Sequence, residues 1–164
     1  MPLCIDSLDF ARNSRELQGK VPVTEMPRLQ DMLAAPEGEI SYILRGLHGR
    51  GGEPMLEVEL GGHCQLLCQR CLQSLDYPVK LVSHLILVPK GELDEPSDDE
   101  NEIDSIPADT RLDVLTLLEE EMLLSLPFAP KHPEGTCRPA VDGYVTEDRT
   151  EKNPFAVLAE LKNK

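Results

Sequence analysis

Between Ile40 and Val88 lie runs in which apolar residues recur at every second position, and that period fixes what this part of the chain can build. Ile40, Tyr42 and Leu44 alternate with polar or small neighbours, and Leu56, Val58 and Leu60 alternate with Glu57 and Glu59. A two-residue period turns one face of a strand to a core and the other to water. Gly49-Arg50-Gly51-Gly52 separates the first two runs as a turn, and Gly61-Gly62 interrupts the second as a bulge or bend would. Past Cys64 and Leu66 comes Cys68-Gln69-Arg70-Cys71, and then YPVKLVSHLILV (77–88), rich in Val, Leu and Ile. Three strands with short connections predict a small antiparallel meander over 38–89, carrying the C-x2-C, in an α+β fold.

The flanks predict helices. Residues 1–36 read as short helical pieces, with Thr24 capping a helix that has Pro27 in its first turn and Leu29, Met32 and Leu33 on its apolar side. Residues 90–108 (KGELDEPSDDENEIDSIPA) hold eight acids and two prolines, too little apolar surface to offset ordering entropy, and predict a disordered acidic loop. Asp109 or Thr110 then caps a core helix over 109–126, apolar around most of its circumference, with Asp113, Thr116 and Glu120 as its polar stripe. Pro127 stops it. An irregular segment follows over 127–153, and Asn153 caps a last amphipathic helix over 154–163 with Phe155, Val157, Leu158 and Leu161 on one face. At 164 residues the chain reads as one domain.

No run reaches the ~18 apolar residues of a membrane helix. MPLCIDSLDFARNSRE has no basic stretch ahead of an apolar one, as a signal peptide would. The expectation is a cytoplasmic protein without a membrane partner, in which five cysteines are thiols or metal ligands rather than disulfides. The net charge of −14 is local: residues 92–121 hold thirteen of the thirty acidic residues and one of the sixteen basic ones, Arg111. The remaining chain is near neutral. One acidic block weakens, without removing, the argument against nucleic acid, and it can be a solvated loop, a handle for a basic partner or a nucleic-acid mimic. Within it Asp98, Asp99 and Glu100 are candidate binding residues.

Cys68 and Cys71 stand two residues apart, and His132 and Cys137 follow about 60 residues on as HPEGTC. Two such pairs can close a tetrahedral site for one structural zinc ion. The long gap between the pairs leaves two rivals open, a metal-free reduced site and a redox dithiol. The last fits poorly, because a strand rather than a helix follows Cys71. Cys64 is not expected to ligate: four residues at ~3.3 Å per residue place its sulfur about 13 Å from that of Cys68, so it reads as core. His48, His63 and His84 read as ordinary strand or loop residues. No phosphate-binding loop or nucleophile motif occurs, so neither enzymatic activity nor a small-molecule substrate is expected.

Three stretches together, CQLLCQRCL, RLDVLTLLEEEMLLSLPFAPKH running on to TC, and NPFAVLAELK, resemble the YceD family of bacterial large ribosomal RNA subunit accumulation proteins. The matching residues are Cys68, Arg70, Cys71, His132 and Cys137, with Asn153, Pro154, Phe155 and Ala156 in the tail. The resemblance implies a non-enzymatic role in the synthesis, processing or stability of 23S ribosomal RNA, with components of the pre-50S particle as partners. Two routes are then open: the acidic loop holds a basic ribosomal protein or processing factor, or a zinc knuckle binds RNA directly through Arg70, Arg45 and Arg50.

Overall fold

The computed structural model describes residues 3–91 and 103–137. It is sheet-rich, with two helices. The strands are β1 (Cys4–Ile5), β2 (Glu16–Pro22), β3 (Leu33–Ala35), β4 (Glu39–His48), β5 (Pro54–Leu67), β6 (Ser74–Val88), β7 (Asp104–Pro107) and β8 (Leu112–Asp113). The helices are α1 (Ser7–Arg12) and α2 (Val114–Ser125). The main sheet has six strands in the order β2-β4-β5-β6-β7, with β3 paired to the far end of β5. β4, β5 and β6 pair antiparallel in chain order, whereas β7 runs parallel to β6.

The inner face of the sheet carries Ile40, Leu44, Leu56, Val58, Leu60, Cys64, Leu66 and Leu85, all buried, and packs against Val114, Leu117, Leu118 and Met122 of α2. α1 covers the β4 end, where Gly46 lets its backbone approach: a side chain there would collide with the Phe10 carbonyl. Gly62 holds φ at 147°, and a Cβ on it would collide with the Glu39 carbonyl, so this position requires glycine, while β5 runs through Gly61-Gly62 in unbroken register with β6 rather than being interrupted there. On the outer face the register aligns Glu16, Arg45, Glu57 and His84 across four strands. Arg45 reaches Glu57 (2.7 Å), Glu16 (2.9 Å) and Glu59 (3.2 Å).

Several expectations change. The segment 1–36 is not mainly helical: Glu16–Pro22 is an edge strand, and the expected helix after Thr24 is two 3-10 turns, Val23–Glu25 and Gln30–Met32. Pairing with β4 over seven residues supplies hydrogen bonds that local propensity does not reveal. In the expected loop 90–108, residues 104–107 form β7 because Ile106 packs onto the core beside Leu87. The core helix begins at Val114, capped by Asp113, whose side chain accepts from Leu115 N at 3.1 Å. Its circumference is not all buried, since Leu124 is 77% exposed.

Glu119 is the opposite case. Glu120, on the expected polar stripe, is exposed, whereas Glu119 and Glu121 beside it are buried. The Glu119 carboxylate accepts from the backbone N–H groups of Arg28 (2.6 Å) and Leu29 (3.1 Å), tying the 3-10 segment to α2. No helix among the described residues is long and apolar enough to cross a membrane.

Candidate metal centre

β5 ends at Leu67 and β6 begins at Ser74, and the turn between them is the C-x2-C. Cys68 N donates to Gln73 O (2.9 Å) and Leu72 N to Cys68 O (2.9 Å), which folds the turn into a tight knuckle. The closure forces Leu72 into the left-handed region, φ 58°, a conformation that costs a non-glycine residue energy. Gln69 N donates to Pro130 O at 2.8 Å, which latches the segment after α2 onto the knuckle and brings His132 and Cys137 with it.

The four expected ligands converge. Cys68 Sγ lies 3.7 Å from Cys137 Sγ. His132 Nδ1 lies 3.4 Å from Cys71 Sγ and 3.7 Å from Cys137 Sγ. All four ligand atoms fall within 4.8 Å of one another. Zinc bonds of about 2.3 Å to sulfur and 2.05 Å to nitrogen at tetrahedral angles imply edges of about 3.8 Å between sulfurs and 3.6 Å between sulfur and nitrogen. The residues therefore fit such an ion. His132 is oriented for it: Nε2 sits 3.0 Å from the Ser74 carbonyl, which can only accept, so the proton is on Nε2 and the Nδ1 lone pair faces the thiols. The cluster could hold a metal ion, and four protein ligands leave no position open for substrate.

Electrostatics agree. Burial pushes the Cys68 thiol up, but N–H groups of Cys71, His132 and Arg70, with the Cys71 side chain, outweigh it and hold the group at about 5. Burial, and then Cys68 and Cys71 alongside, push Cys137 up: metal-free thiols this close cannot all ionise cheaply. Cys64, fully buried in the core, is pushed to about 11, first by burial and then by Asp76. Cys4 is exposed on β1. His63 faces Asp76 and His84 faces Glu57 on the outer sheet face, away from the cluster.

Of the other sequence-derived candidates, Arg70 is exposed on the knuckle, while Asp98, Asp99, Glu100 and Phe155 lie outside the described residues. Arg45 is corrected as a phosphate contact, because three carboxylates engage its guanidinium. Those hydrogen bonds, from Glu57 first, raise its pKa well above the usual range. Arg50 sits in the β4–β5 turn, next to the β6 end furthest from the knuckle. Sequence reasoning missed Ser74 and Pro130, whose contributions are carbonyl oxygens and leave no residue-type signal.

The sequence profile described as "Large ribosomal RNA subunit accumulation protein YceD" matches residues 56–162, which include both β-runs flanking the knuckle and all four clustered ligands. The chain belongs to the YceD family. A relative named Large ribosomal RNA subunit accumulation protein YceD, from Haemophilus influenzae (strain ATCC 51907 / DSM 11121 / KW20 / Rd), is 26% identical over 179 aligned positions. The alignment spans 100% of this chain and 97% of that protein. No solved structure matches the chain.

Proposed function

We propose that this YceD protein supports the accumulation of 23S ribosomal RNA in the cytoplasm by binding rather than by catalysis. Its partner is a basic ribosomal protein or processing factor of the pre-50S particle. The observation that carries the reading is family membership along essentially the whole chain. The sequence adds a handle for the partner, the acidic stretch around Asp98, Asp99 and Glu100, which falls in sequence between β6, ending at Val88, and β7, beginning at Asp104.

The second part of the proposal is that Cys68, Cys71, His132 and Cys137 hold one structural zinc ion. Zinc would supply cross-linking rather than chemistry, fastening the segment 127–137 to the β5–β6 turn. A metal-free pair or redox dithiol would not need the imidazole lone pair that the Ser74 carbonyl orients.

The test of the partner is a pull-down of purified large-subunit ribosomal proteins on the full chain, with the acids of 92–102 changed to Asn and Gln in one arm. Recovery of basic ribosomal proteins that falls with added salt and with neutralisation is expected, because exposed charge pairing is screened over about 8 Å at physiological ionic strength. Recovery unchanged by neutralisation overturns the assignment of the handle.

A further inference from the structure

Phe128 is 101% exposed, an unusual place for one of the three phenylalanines of a chain that has no Trp. It stands two residues before Pro130, whose carbonyl is latched to the knuckle. The knuckle itself displays Leu72, 64% exposed and held at φ 58°. Beside them lies a cavity of about 310 Å³ lined by Arg70, Cys71, Gly135 and Cys137. Arg70 and Lys131 are both exposed, and among the described residues neither has a carboxylate within 4.0 Å.

The knuckle joins the Ser74 end of β6, and residues 92–102 fall in sequence between Val88, at the other end of that strand, and β7. Nearer in sequence to Phe128 are Glu119, whose carboxylate is engaged by Arg28 N and Leu29 N, and Glu120, which pairs with the Arg28 guanidinium. Locally, Glu134 and a site of three thiolates with a divalent ion offset Arg70 and Lys131, which leaves this end near neutral. Stacking must therefore supply much of the affinity.

We propose that the knuckle end binds single-stranded RNA, with Phe128 stacking on an unpaired base, Leu72 bordering the same surface, and Arg70 and Lys131 contacting adjacent phosphates. An aromatic face accepts any base, and cations beside it track the backbone, so recognition is of unpaired strand rather than of sequence. The site goes beyond the acidic handle: it uses different residues, and it includes neither Arg45, which three carboxylates engage, nor Arg50, which lies at the other end of β6.

The experiment is fluorescence anisotropy of labelled fifteen-residue oligouridylate, and of a duplex RNA of equal length, with the metal-loaded full chain. Binding to the single strand and weaker binding to the duplex are expected. Two phosphate contacts give a salt slope of about −1.4, so affinity falls about sevenfold from 50 to 200 mM salt. Phe128→Ala is expected to weaken binding by about fivefold to 150-fold, the span of base-stacking aromatics. The double change Arg70→Gln with Lys131→Gln removes the salt slope. Arg50→Gln, at the far end, and neutralised 92–102 leave binding unchanged, which separates this site from the acidic handle. Arg50, Arg70, Phe128 and Lys131 are exposed, and metal content with circular dichroism checks that each variant is folded. No binding by the wild type at 50 mM salt, or wild-type affinity in Phe128→Ala, overturns the proposal. So does a Phe128-dependent gain for a Leu/Lys peptide in place of RNA, which would make the surface a protein-docking site.

Discussion

Glu119 shows how one residue can join parts of the chain that sequence keeps 90 positions apart. Its carboxylate satisfies two backbone donors, Arg28 N and Leu29 N, inside the core. Glu119→Ala leaves Arg28 N without its acceptor and Leu29 N with only the Met26 carbonyl at 3.2 Å, and is expected to cost about 2 kcal/mol in urea denaturation, with Glu119→Gln losing less because an acceptor remains. The helical period marked Glu120 as the solvated one of the three, but nothing marked Glu119 as the acceptor for Arg28 and Leu29, because backbone donors leave no trace in a sequence. Cys64, by contrast, was legible: strand rise alone separated it from the knuckle, and it lies in the core. Glu57 carries a pH effect of defined sign. Its hydrogen bond from Arg45, which outweighs partial burial, lowers its folded pKa below the unfolded value. The stability it contributes is therefore present above the ordinary carboxyl range and lost as pH falls through the folded value. Glu57→Gln is expected to flatten the loss of urea midpoint between about pH 5 and pH 3.

At the scale of elements, β5 depends on the glycine at its close approach to β4. Gly62→Ala is expected to destabilise by about 3 kcal/mol or more, read in the same denaturation assay, because a positive φ and a collision with the Glu39 carbonyl coincide there. The two-residue period made β4, β5 and β6 readable, since half-buried strands leave that period in the sequence. β2 was not readable: ELQGKVP carries Gly19 and Pro22 and has few apolar residues, and pairing with β4 decides its form. β7 is four residues next to an acidic stretch, too short for any periodicity. The 24–33 segment has good capping and apolar spacing for a helix, yet Met26 and Leu29 are drawn into the core and Glu119 takes the donors, which leaves 3-10 turns.

For the whole molecule, the long strand β6 runs from the ligand cluster next to Ser74 to Val88, after which the acidic stretch follows in sequence. The cluster was only half legible. Spacing offered the C-x2-C and the HPEGTC pair, but the gap of about 60 residues could not certify that they meet. The latch from Gln69 to Pro130 brings them together, and it is a backbone contact. The account rests on a metal closing that junction. The most direct measurement is metal content of the purified chain by native mass spectrometry, with thermal unfolding before and after chelation. One zinc per chain is expected, lost in Cys71→Ser, with a fall in Tm of several degrees on chelation. A wild-type chain that carries no metal and unfolds at the same temperature with and without chelator would contradict the account.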